Sequence, residues 1–399
     1  MGLAKGEILE VSIEKLIFGG AGLARVEGQV VFVDFVAPED LVEIEIIESK
    51  KNFSRGKVKR IINASPRRVE PRCPVFGRCG GCQWQHVHYD TQIESKQKIL
   101  QEIIKRFLPE WDGTLGEFKK SPQEYHYRNR IDLHIDLKGS MGFFAKQSHD
   151  IVEIESCYIA EEALNQELKK LKRAGQSSQG QGPLAGKYRL QKGRQGEVTH
   201  SHIETQESPL GFAQVNQEQN TQLQTEIIET YLKNYLGQPI IDLYGGYGNF
   251  SIPLAENLLA QRLDPQKFPS FRIECVEWSQ KSVEEGISFA QQKQLSSVHF
   301  INMDVQAYLQ RLKMNPESFV IIDPPREGCS PAVIKELSAK APQCLVYISC
   351  DPMTWGRDVQ LFLLEAQRRN HKYRIATIHG LDMFPQTDHI EVFSVFERC

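Results

Sequence analysis

The sequence contains no run that approaches about 18 uninterrupted apolar residues, which excludes an ordinary transmembrane helix. The first residues, Met1 to Glu7, are polar, so we expect no signal peptide. Gly2 matches the start of a myristoylation motif, but the motif requires serine or threonine at position 6, where this chain has Gly6. These absences predict a cytoplasmic protein without membrane attachment. No obligate protein partner is evident, and we expect a monomer.

The nine cysteines are an odd number in a chain without an expected export signal. This argues against a disulfide framework and favours metal-binding or catalytic roles. Cys275 and Cys344 lie inside apolar strand-like runs, where cysteine usually acts as a small buried hydrophobic residue. We therefore predict that these two cysteines are part of the protein core.

A group of cysteines in the first half of the chain follows the spacing C-x5-C-x2-C, with a fourth far downstream: Cys73, Cys79, Cys82 and Cys157. Four thiolates suit a single soft metal centre, and the glycines between them let the backbone wrap closely around it. Zinc sites usually pair two closely spaced knuckles, whereas three thiols here come from one loop. The spacing therefore favours iron-sulfur over zinc, with His86 and His88 as alternative ligands.

Charge is unevenly distributed, although the formal net charge of the chain is only -3 and excludes a uniformly basic nucleic-acid binder. Between Lys50 and Arg72 there are nine lysines or arginines and one acid, Glu70, which gives a local net charge of +8. Taken alone, this charge is equally typical of a solvated strand and linker and of a surface that contacts phosphates.

The first of three predicted regions, residues 1–64, has short β-branched runs separated by glycine and proline turns, which is typical of a small barrel. The segment Gly22-Leu-Ala-Arg25 matches the Gly-x-Ala-Arg pattern of TRAM domains. The region resembles a TRAM domain, a small β-barrel found in RNA-modifying enzymes. This resemblance implies binding to RNA.

The second region, residues 65–211, contains the cysteine-rich loop, a helical stretch and several strand-like runs. We predict a helix from Gln92 to Phe107, which we expect to pack on the domain that follows. Glutamine, serine and glycine dominate between Lys169 and Gly196, so we predict a mobile surface loop there without a chemical role.

The third region, residues 212–399, alternates strand and helix patterns and predicts a doubly wound, mostly parallel α/β sheet. One strand leads into Gly245-Gly-Tyr-Gly-Asn-Phe250, and the next ends at Glu277. Glycines allow a nucleoside to approach the backbone, and the carboxylate can bind ribose hydroxyls. Counted from Gly246, the dinucleotide motif G-x-G-x-x-G fails at Ser251. This pattern favours a cofactor with adenosine but no phosphates, for which S-adenosylmethionine is the leading candidate.

Two further strand-like runs end in residues that point to covalent chemistry. One run continues into Asp323-Pro-Pro-Arg326, and the other ends at Cys350. If these strands are parallel neighbours, a thiol and a carboxylate emerge at the ligand-binding edge of the sheet. Amino-directed nucleic-acid methyltransferases place an aromatic residue after Asp-Pro-Pro, whereas this chain has Arg326. A thiolate can instead add to C6 of uracil, generate a nucleophilic C5 and leave after the C5 proton is removed.

The proton acceptor for that reaction is expected just before the last strand. Glu391 is the best candidate, and His389 and Asp388 are alternatives. Asp304 follows another strand-like run and is expected near the adenine of the cofactor.

Together these motifs resemble the RNA uracil-C5 methyltransferases over nearly the whole chain. The family resemblance implies a class I S-adenosylmethionine-dependent domain of Rossmann-like fold, preceded by an OB-like TRAM barrel and a small iron-sulfur α+β domain. It implies Cys350 as the nucleophile and Glu391 as the base. By the same resemblance, the cofactor-contacting residues are Gln214, Tyr244, Asn249, Glu277, Asp304 and Asp323. The ligands of a [4Fe-4S] cluster are Cys73, Cys79, Cys82 and Cys157.

The combination of a TRAM barrel and a cluster points to the branch of the family that modifies ribosomal RNA, so 23S rRNA is the expected substrate. A tRNA uracil-C5 methyltransferase, a cytosine-C5 methyltransferase and a non-catalytic RNA-binding or redox-sensing iron-sulfur protein are the alternatives. The chain departs from the family at Gly245, where Cys-Gly is common, and at Asp351, where asparagine is common. Neither change removes a group that the chemistry needs.

Overall fold

The computed structural model describes residues 3–176, 184–193, 196–203, 214–235, 237–261, 271–313 and 315–399. The chain forms two compact units, each built from several chain segments. The first contains Met1–Ile99, Ser121–Glu207 and Phe384–His389, and the second contains Leu100–Lys120, Ser208–Met383 and Ile390–Cys399. In the described residues, no helix is both long and apolar enough to cross a membrane.

The first unit begins with a six-stranded sheet made of β1 (Ile8–Ser12), β2 (Lys15–Leu16), β3 (Gly22–Val26), β4 (Gln29–Val33), β5 (Leu41–Ser49) and β6 (Phe53–Asn63). The strand order is β1-β5-β6-β4-β3-β2. In β5, Val42, Ile44 and Ile46 are fully buried and alternate with less buried residues, as expected for a strand with one face on the core. The short β-branched and alternating runs of the sequence predicted β1, β4, β5 and β6, but not β2 or β3.

The helix α1 (Tyr89–Phe107) begins three residues before the predicted start, and its part up to Ile99 belongs to the first unit. Within this unit the buried side chain of Gln92 binds a segment from the end of the chain. Its amide nitrogen donates to Gln386 Oε1 at 3.0 Å, and its amide oxygen accepts from the Gln386 backbone N–H at 3.1 Å. The amide nitrogen also donates to the carbonyls of Trp84 and Val87, at 3.1 and 2.9 Å, whereas the buried amide oxygen is satisfied by a residue that comes 294 positions later.

The first unit has a second sheet of five strands: β7 (Arg130–Ile135), β8 (Met141–Phe144), β9 (Ile151–Glu153), β10 (Gly186–Lys192) and β11 (Val198–Ile203). The helix α2 (Glu162–Gln176) lies between β9 and β10 in the chain. All strand pairs of this sheet are antiparallel, in the order β11-β10-β7-β8-β9. Leu133, Leu164, Leu168 and Leu190 lie in its buried core.

The prediction of a mobile loop from Lys169 to Gly196 is wrong for the part of this segment that the structure describes. α2 continues to Gln176, and residues 186–192 form the strand β10, which lies between β11 and β7. The polar residues that dominated the composition hid a two-residue alternation in which Tyr188 and Leu190 are buried. Residues 177–183, 194 and 195 lie outside the described residues.

The second unit contains α3 (Gln217–Asn234), β12 (Ile240–Leu243), α4 (Ser251–Ala260), β13 (Ile273–Glu277), α5 (Gln280–Gln292), β14 (Val298–Asn302), α6 (Val305–Arg311), β15 (Phe319–Ile322), α7 (Pro331–Lys340), β16 (Cys344–Ser349), α8 (Pro352–Arg368), β17 (Tyr373–Leu381) and β18 (Glu391–Arg398). The end of α1 also belongs here, where Gln360 Nε2 of α8 donates to the Phe107 carbonyl at 2.9 Å.

These strands form one seven-stranded sheet in the order β14-β13-β12-β15-β16-β18-β17. The first five strands are parallel, and β18 runs antiparallel between β16 and β17. Strands β12, β15 and β16 are buried along their whole length, which explains their nearly continuous apolar sequences. Cys275 and Cys344 are fully buried in this sheet, which confirms the prediction that they are core residues.

Candidate active site

The predicted nucleophile lies at the carboxyl edge of the parallel strands. β15 and β16 are parallel neighbours, with Ile322 paired to Tyr347. Asp323 follows the first strand and Cys350 follows the second, so the sequence prediction that a thiol and a carboxylate emerge from adjacent strands is confirmed. Asp351, the next residue, caps α8, because its Oδ1 accepts the backbone N–H of Met353 and Thr354 at 2.9 and 3.0 Å. Aspartate and asparagine are both good N-caps, which accounts for the departure at this position.

Glu391 lies next to Cys350 in the strand register. β18 pairs antiparallel with β16, and the last pair of this ladder joins Ser349 to Val392. Cys350 follows Ser349, and Glu391 precedes Val392. Cys350 and Glu391 are therefore opposite each other, one position beyond the last pair of the ladder. The expected base is thus the first residue of a strand, rather than part of the loop that enters it.

The Glu391 carboxyl group is in an unusual environment for an acid. It is 1% exposed, and neither of its oxygens has a hydrogen-bond partner among the described residues. Burial raises its pKa well above the ordinary value of 4.5, the nearby Asp323 raises it further, and Arg326 opposes the shift. An unpaired buried carboxyl group of raised pKa is typical of an acid-base site.

The surroundings of the Cys350 thiol disfavour its ionisation. Burial raises its pKa to about 12, Glu391 and Asp323 add to the shift, Arg326 opposes it, and Asp351 adds a smaller increase. A thiol of this kind needs a proton acceptor, or a change in its surroundings, before it can attack. Arg326, which stands where related enzymes of another class carry an aromatic residue, is the cation that favours the thiolate.

A third acidic group lies deeper in the same part of the unit. Asp242, in the middle of β12, is fully buried, and its Oδ2 accepts from the Ser251 hydroxyl at 2.6 Å. Burial raises the pKa values of both Asp242 and Asp323 to about 7, and Asp242 adds to the shift at Asp323. Gln214 Nε2 donates to Asp323 Oδ2 at 3.3 Å and lowers its pKa. Our sequence analysis missed Asp242, although an acid inside an otherwise apolar strand was a usable signal.

The glycine-rich loop and Glu277 come together as predicted for a nucleoside site. Glu277 ends β13, and its two carboxylate oxygens accept the backbone N–H groups of Gly246 and Ser279 at 3.1 and 2.8 Å. A Cβ atom at Gly245 would lie 2.4 Å from the Cys275 sulfur, so only glycine fits there. Gly246 adopts a left-handed conformation with φ of 57°. The loop therefore presents its backbone beside an acid.

The other predicted cofactor contacts have different surroundings. Asn249 forms a reciprocal pair with Asn220, with both amide contacts at 2.9 Å. Tyr244 follows β12 with φ of 60°, a conformation that is rare for an aromatic residue and typical of functional sites. Asp304 is exposed, and it caps α6 by accepting the Ala307 N–H at 3.0 Å.

The two alternatives to Glu391 have separate roles in the structure. Asp388 Oδ2 accepts the Gly19 backbone N–H at 2.8 Å within the first unit. The ring of His389 contacts Phe384, with ring centroids 5.5 Å apart. Glu391 acts electrostatically on Cys350 and belongs to the same unit, which favours it as the candidate base.

The four cysteines of the first unit line one cavity of about 220 Å³, together with Arg128 and Phe143. Burial raises the pKa of each thiol, to about 11 at Cys157. Among the described residues, no group of three or more cysteine, histidine or acidic side chains is arranged to hold a metal ion. Of the alternative ligands, His86 packs against Phe76, with ring centroids 5.3 Å apart, and His88 is exposed beside Asp90.

Much of the basic charge between Lys50 and Arg72 is paired with acids. Surface ion pairs link it to neighbouring glutamates: Lys50 and Arg55 to Glu48, Lys59 to Glu45, Arg60 to Glu43, and Arg67 to Glu39 and Glu94. Arg68 binds the buried carboxylate of Asp40 at 2.7 Å. The local charge of +8 therefore overstates the positive potential of this surface.

The seven-stranded sheet, its reversed last strand and the glycine loop beside Glu277 define a class I S-adenosylmethionine-dependent methyltransferase, preceded in this chain by a β-rich domain. The family model for the TRAM domain matches residues 3–59, and the family model described as tRNA (Uracil-5-)-methyltransferase matches residues 195–398. The chain belongs to this family of RNA uracil-C5 methyltransferases. The predicted class of enzyme and the predicted fold of its first and last regions are confirmed.

Individual relatives match the chain over most of its length. An uncharacterized RNA methyltransferase from Bdellovibrio bacteriovorus is 35% identical over 389 residues, which cover 98% of this chain and 95% of the relative. The 23S rRNA (uracil(1939)-C(5))-methyltransferase RlmD from Pectobacterium atrosepticum is 30% identical over 439 residues, covering 97% and 93%. The crystal structure of Pyrococcus abyssi tRNA (uracil-54, C5)-methyltransferase in complex with S-adenosyl-L-homocysteine has the same fold, with a TM-score of 0.71 and 24% identity. The matched region covers 97% of this chain and 100% of the Pyrococcus abyssi chain.

Proposed function

We propose that this enzyme methylates C5 of a uridine in 23S rRNA through a covalent bond between Cys350 and C6 of the base. The observation that carries the proposal is the position of Cys350 between two acids, Asp323 and Glu391, at one edge of three adjacent strands. A thiol nucleophile and a separate proton acceptor are the two groups that uracil C5 methylation requires.

In the proposed mechanism, the Cys350 thiol gives its proton to the neighbouring Asp323 carboxylate and its sulfur bonds to C6, which moves the electrons of the C5–C6 double bond toward C5 and O4. C5 then takes a methyl group from the sulfonium of S-adenosylmethionine. Glu391 removes the C5 proton, the double bond forms again, and the thiolate of Cys350 leaves. The raised pKa of Glu391 suits this step, because a carboxylate of high pKa is the stronger proton acceptor once it is ionised.

The residues expected to hold S-adenosylmethionine fit an adenosine group. The Gly245-Gly246 backbone leaves room for close approach, and the Glu277 carboxylate at the end of β13 can bind the ribose hydroxyls. We further propose Gln214, Tyr244, Asn249, Asp304 and Asp323 as contacts. Asn249 is the weakest of these, since its amide is already paired with Asn220.

We also propose that Cys73, Cys79, Cys82 and Cys157 bind a [4Fe-4S] cluster. All four line one cavity, and the Gly81 N–H donates to the Cys79 sulfur at 3.4 Å. The spacing of the ligands favours the cluster over zinc, because zinc sites usually pair two closely spaced knuckles, whereas three of these thiols come from one loop. When bound, the cluster would tie the Cys73–Cys82 loop to the strand region before Cys157.

The domain boundaries at residues 64/65 and 211/212 stay proposals, and the second lies outside the described residues. The RlmD relatives favour 23S rRNA as the substrate, and the tRNA methyltransferase of the same fold keeps tRNA as the alternative. A cytosine-C5 activity is less favoured, because that class places its nucleophile differently and does not carry Asp323-Pro-Pro-Arg326. A non-catalytic redox role is less favoured because it gives Cys350 and Glu391 no function.

The decisive experiment incubates the enzyme with labelled S-adenosylmethionine and matched 23S rRNA and tRNA transcripts, followed by nucleoside analysis. We expect 5-methyluridine in the rRNA transcript. Label in the tRNA alone would transfer the proposal to tRNA, and 5-methylcytidine or no label would contradict it. Mapping 5-methyluridine in RNA from cells with and without the gene would then identify the position.

A further inference from the structure

The loop that follows Asp323-Pro-Pro is fastened to α8, the helix that begins directly after Cys350. Three side chains from the first two turns of α8 make the contacts: Thr354, Arg357 and Asp358. Thr354 Oγ1 donates to the Arg326 carbonyl at 3.2 Å. The loop and the nucleophile are therefore connected by one rigid helix.

Arg357 and Asp358 secure the far end of the loop. Arg357 Nη2 donates to the carbonyls of Glu327 and Cys329, at 2.8 and 3.3 Å. Asp358 Oδ2 accepts the Cys329 N–H at 2.7 Å and the Tyr347 hydroxyl at 2.8 Å. Four backbone groups of the loop are thus bound to the helix: the carbonyls of Arg326, Glu327 and Cys329, and the Cys329 N–H.

The Asp358 carboxylate is 1% exposed, and the structure satisfies it with donors from three directions. Its other oxygen accepts from Arg357 Nε at 2.8 Å. Gly328 has φ of 74°, and a Cβ atom there would lie 2.4 Å from Asp358 Oδ2. A buried carboxylate costs free energy unless it is paired. If the loop moved away, Asp358 would lose the Cys329 N–H as a donor, which would destabilise the buried carboxylate.

We propose that Thr354, Arg357 and Asp358 are positioning residues for the methyl transfer, which fasten residues 326–329 to α8 and thereby hold the Arg326 side chain at a set place relative to Cys350. The inference rests on the proposed role of Cys350 as the nucleophile. Arg326 is the cation among the groups that act on this thiol, and the others, Glu391, Asp323 and Asp351, are acids that oppose its ionisation. A loop that moves away would leave the thiol facing only acids.

The test measures how fast Cys350 reacts with iodoacetamide as a function of pH, in full-length enzyme without RNA, with the modified peptide quantified by mass spectrometry. Arg357→Ala is the main variant, since the Arg357 side chain is half exposed and its loss is compatible with folding. Arg368→Ala is the matched control, because Arg368 lies on the same helix and pairs with Glu365 away from the loop.

We expect the alkylation profile of Arg357→Ala to move to higher pH by about one unit, which is a rate about tenfold lower at a fixed pH below the midpoint. Arg326→Ala should give a similar shift, and adding Arg357→Ala to it should give little more, because both changes remove the same effect. Arg368→Ala should match the wild type. Thr354→Val, which removes one contact, should give a smaller shift in the same direction.

An unchanged profile for Arg357→Ala, or full additivity with Arg326→Ala, overturns the inference. A shift equal to that of Arg368→Ala also overturns it, because the effect would then be a general one on the helix. This outcome is distinct from failure of the proposed function, since the alkylation assay does not depend on methyl transfer. If Cys350→Ala still forms the RNA adduct, the nucleophile assignment fails whatever the profiles show.

Discussion

Asp323 and Glu391 come from strands on either side of β16, and the charge of Asp323 raises the pKa of Glu391. Cys350, at the end of β16, lies between them in the sheet order, and both acids raise its pKa as well. The three groups therefore cannot all ionise independently. When the thiol loses its proton and becomes negatively charged, a neighbouring carboxyl group is more readily protonated. Addition to uracil and the later elimination both need such a coupling between the thiol and an acid.

The first prediction concerns the nucleophile. Cys350→Ala should lower kcat by at least about 10⁴-fold and abolish the covalent adduct with 5-fluorouridine RNA, because Cys350 supplies the sulfur that bonds to C6 in the proposed mechanism. Adduct formation is measured as a shifted band in a denaturing gel. Cys399→Ala, which removes an exposed cysteine, is the control and should keep both activities. A surviving adduct in Cys350→Ala would falsify the assignment.

The second prediction separates attack from elimination. Glu391→Gln should still allow the thiol to add to uracil and the methyl group to transfer, but it removes the acceptor for the C5 proton. We therefore expect a covalent complex of enzyme and methylated RNA to accumulate with ordinary uridine. Glu397→Gln is the control on the same strand, where the carboxylate accepts from the Tyr235 hydroxyl at 2.6 Å. Normal turnover in Glu391→Gln would place the base elsewhere.

The third prediction concerns stability. The folded pKa of Glu391 is raised above its ordinary value of 4.5, so its contribution to stability is fully present below that pH and is lost as the pH rises toward the folded pKa. Glu391→Gln cannot ionise, and its thermal midpoint should exceed that of the wild type increasingly from pH 5 to pH 8. The expected gain is up to about 1.4 kcal/mol per pH unit.

The comparison for this pH series is Glu285→Gln, which changes an exposed acid on α5. Its thermal midpoint should follow the wild type at every pH. A constant difference between Glu391→Gln and the wild type would show that the carboxyl group of Glu391 does not titrate differently in the folded protein.

The fourth prediction tests the cofactor site. Glu277→Gln should weaken binding of S-adenosylmethionine by about tenfold or more, because a hydrogen bond to a charged group contributes about 1.5–3 kcal/mol. Isothermal titration with the cofactor measures this effect, and RNA affinity should stay unchanged. Glu274→Gln, from the same strand but away from its carboxyl end, should bind the cofactor normally. Equal affinity in Glu277→Gln would remove Glu277 from the site.

The fifth prediction concerns the cysteine cavity. Protein purified without oxygen should contain about four iron atoms per chain when the proposed cluster is present. Cys79→Ala should lose the iron and bind RNA more weakly, while its affinity for S-adenosylmethionine stays near that of the wild type. Cys399→Ala should keep its iron. Zinc in place of iron in the wild type would contradict the cluster, and equal loss of both affinities would contradict a local role.

The sequence predicted the catalytic sheet well, because its central strands are continuous apolar runs whose ends carry isolated polar residues. Asp323 and Cys350 stand out for that reason. Strand β10 was missed because its buried positions alternate with glutamine, lysine and arginine, which dominate the composition. Short patterns of this kind indicate a strand only when position, rather than composition, is examined.

Contacts between distant side chains were beyond prediction. Asp358 looks like an ordinary helix residue in the sequence, and its partner Cys329 lies 29 positions earlier. Asn249 carries the expected amide, yet the sequence gives no sign that Asn220 already binds it. Such pairs depend on how loops and helices pack, which local periodicity does not record.

The hydrogen bonds between Gln92 and Gln386 also have a consequence for biosynthesis. The two residues are 294 positions apart, so at about 5–20 residues per second the ribosome adds the second one on the order of 15 to 60 s after the first. Throughout that interval Gln92 can bind the carbonyls of Trp84 and Val87, but its amide oxygen lacks the Gln386 N–H that it accepts in the folded protein. The amino-terminal unit therefore completes its native contacts only after almost all of the methyltransferase domain has been translated, and a nascent chain shortened before Phe384 cannot finish folding its first half.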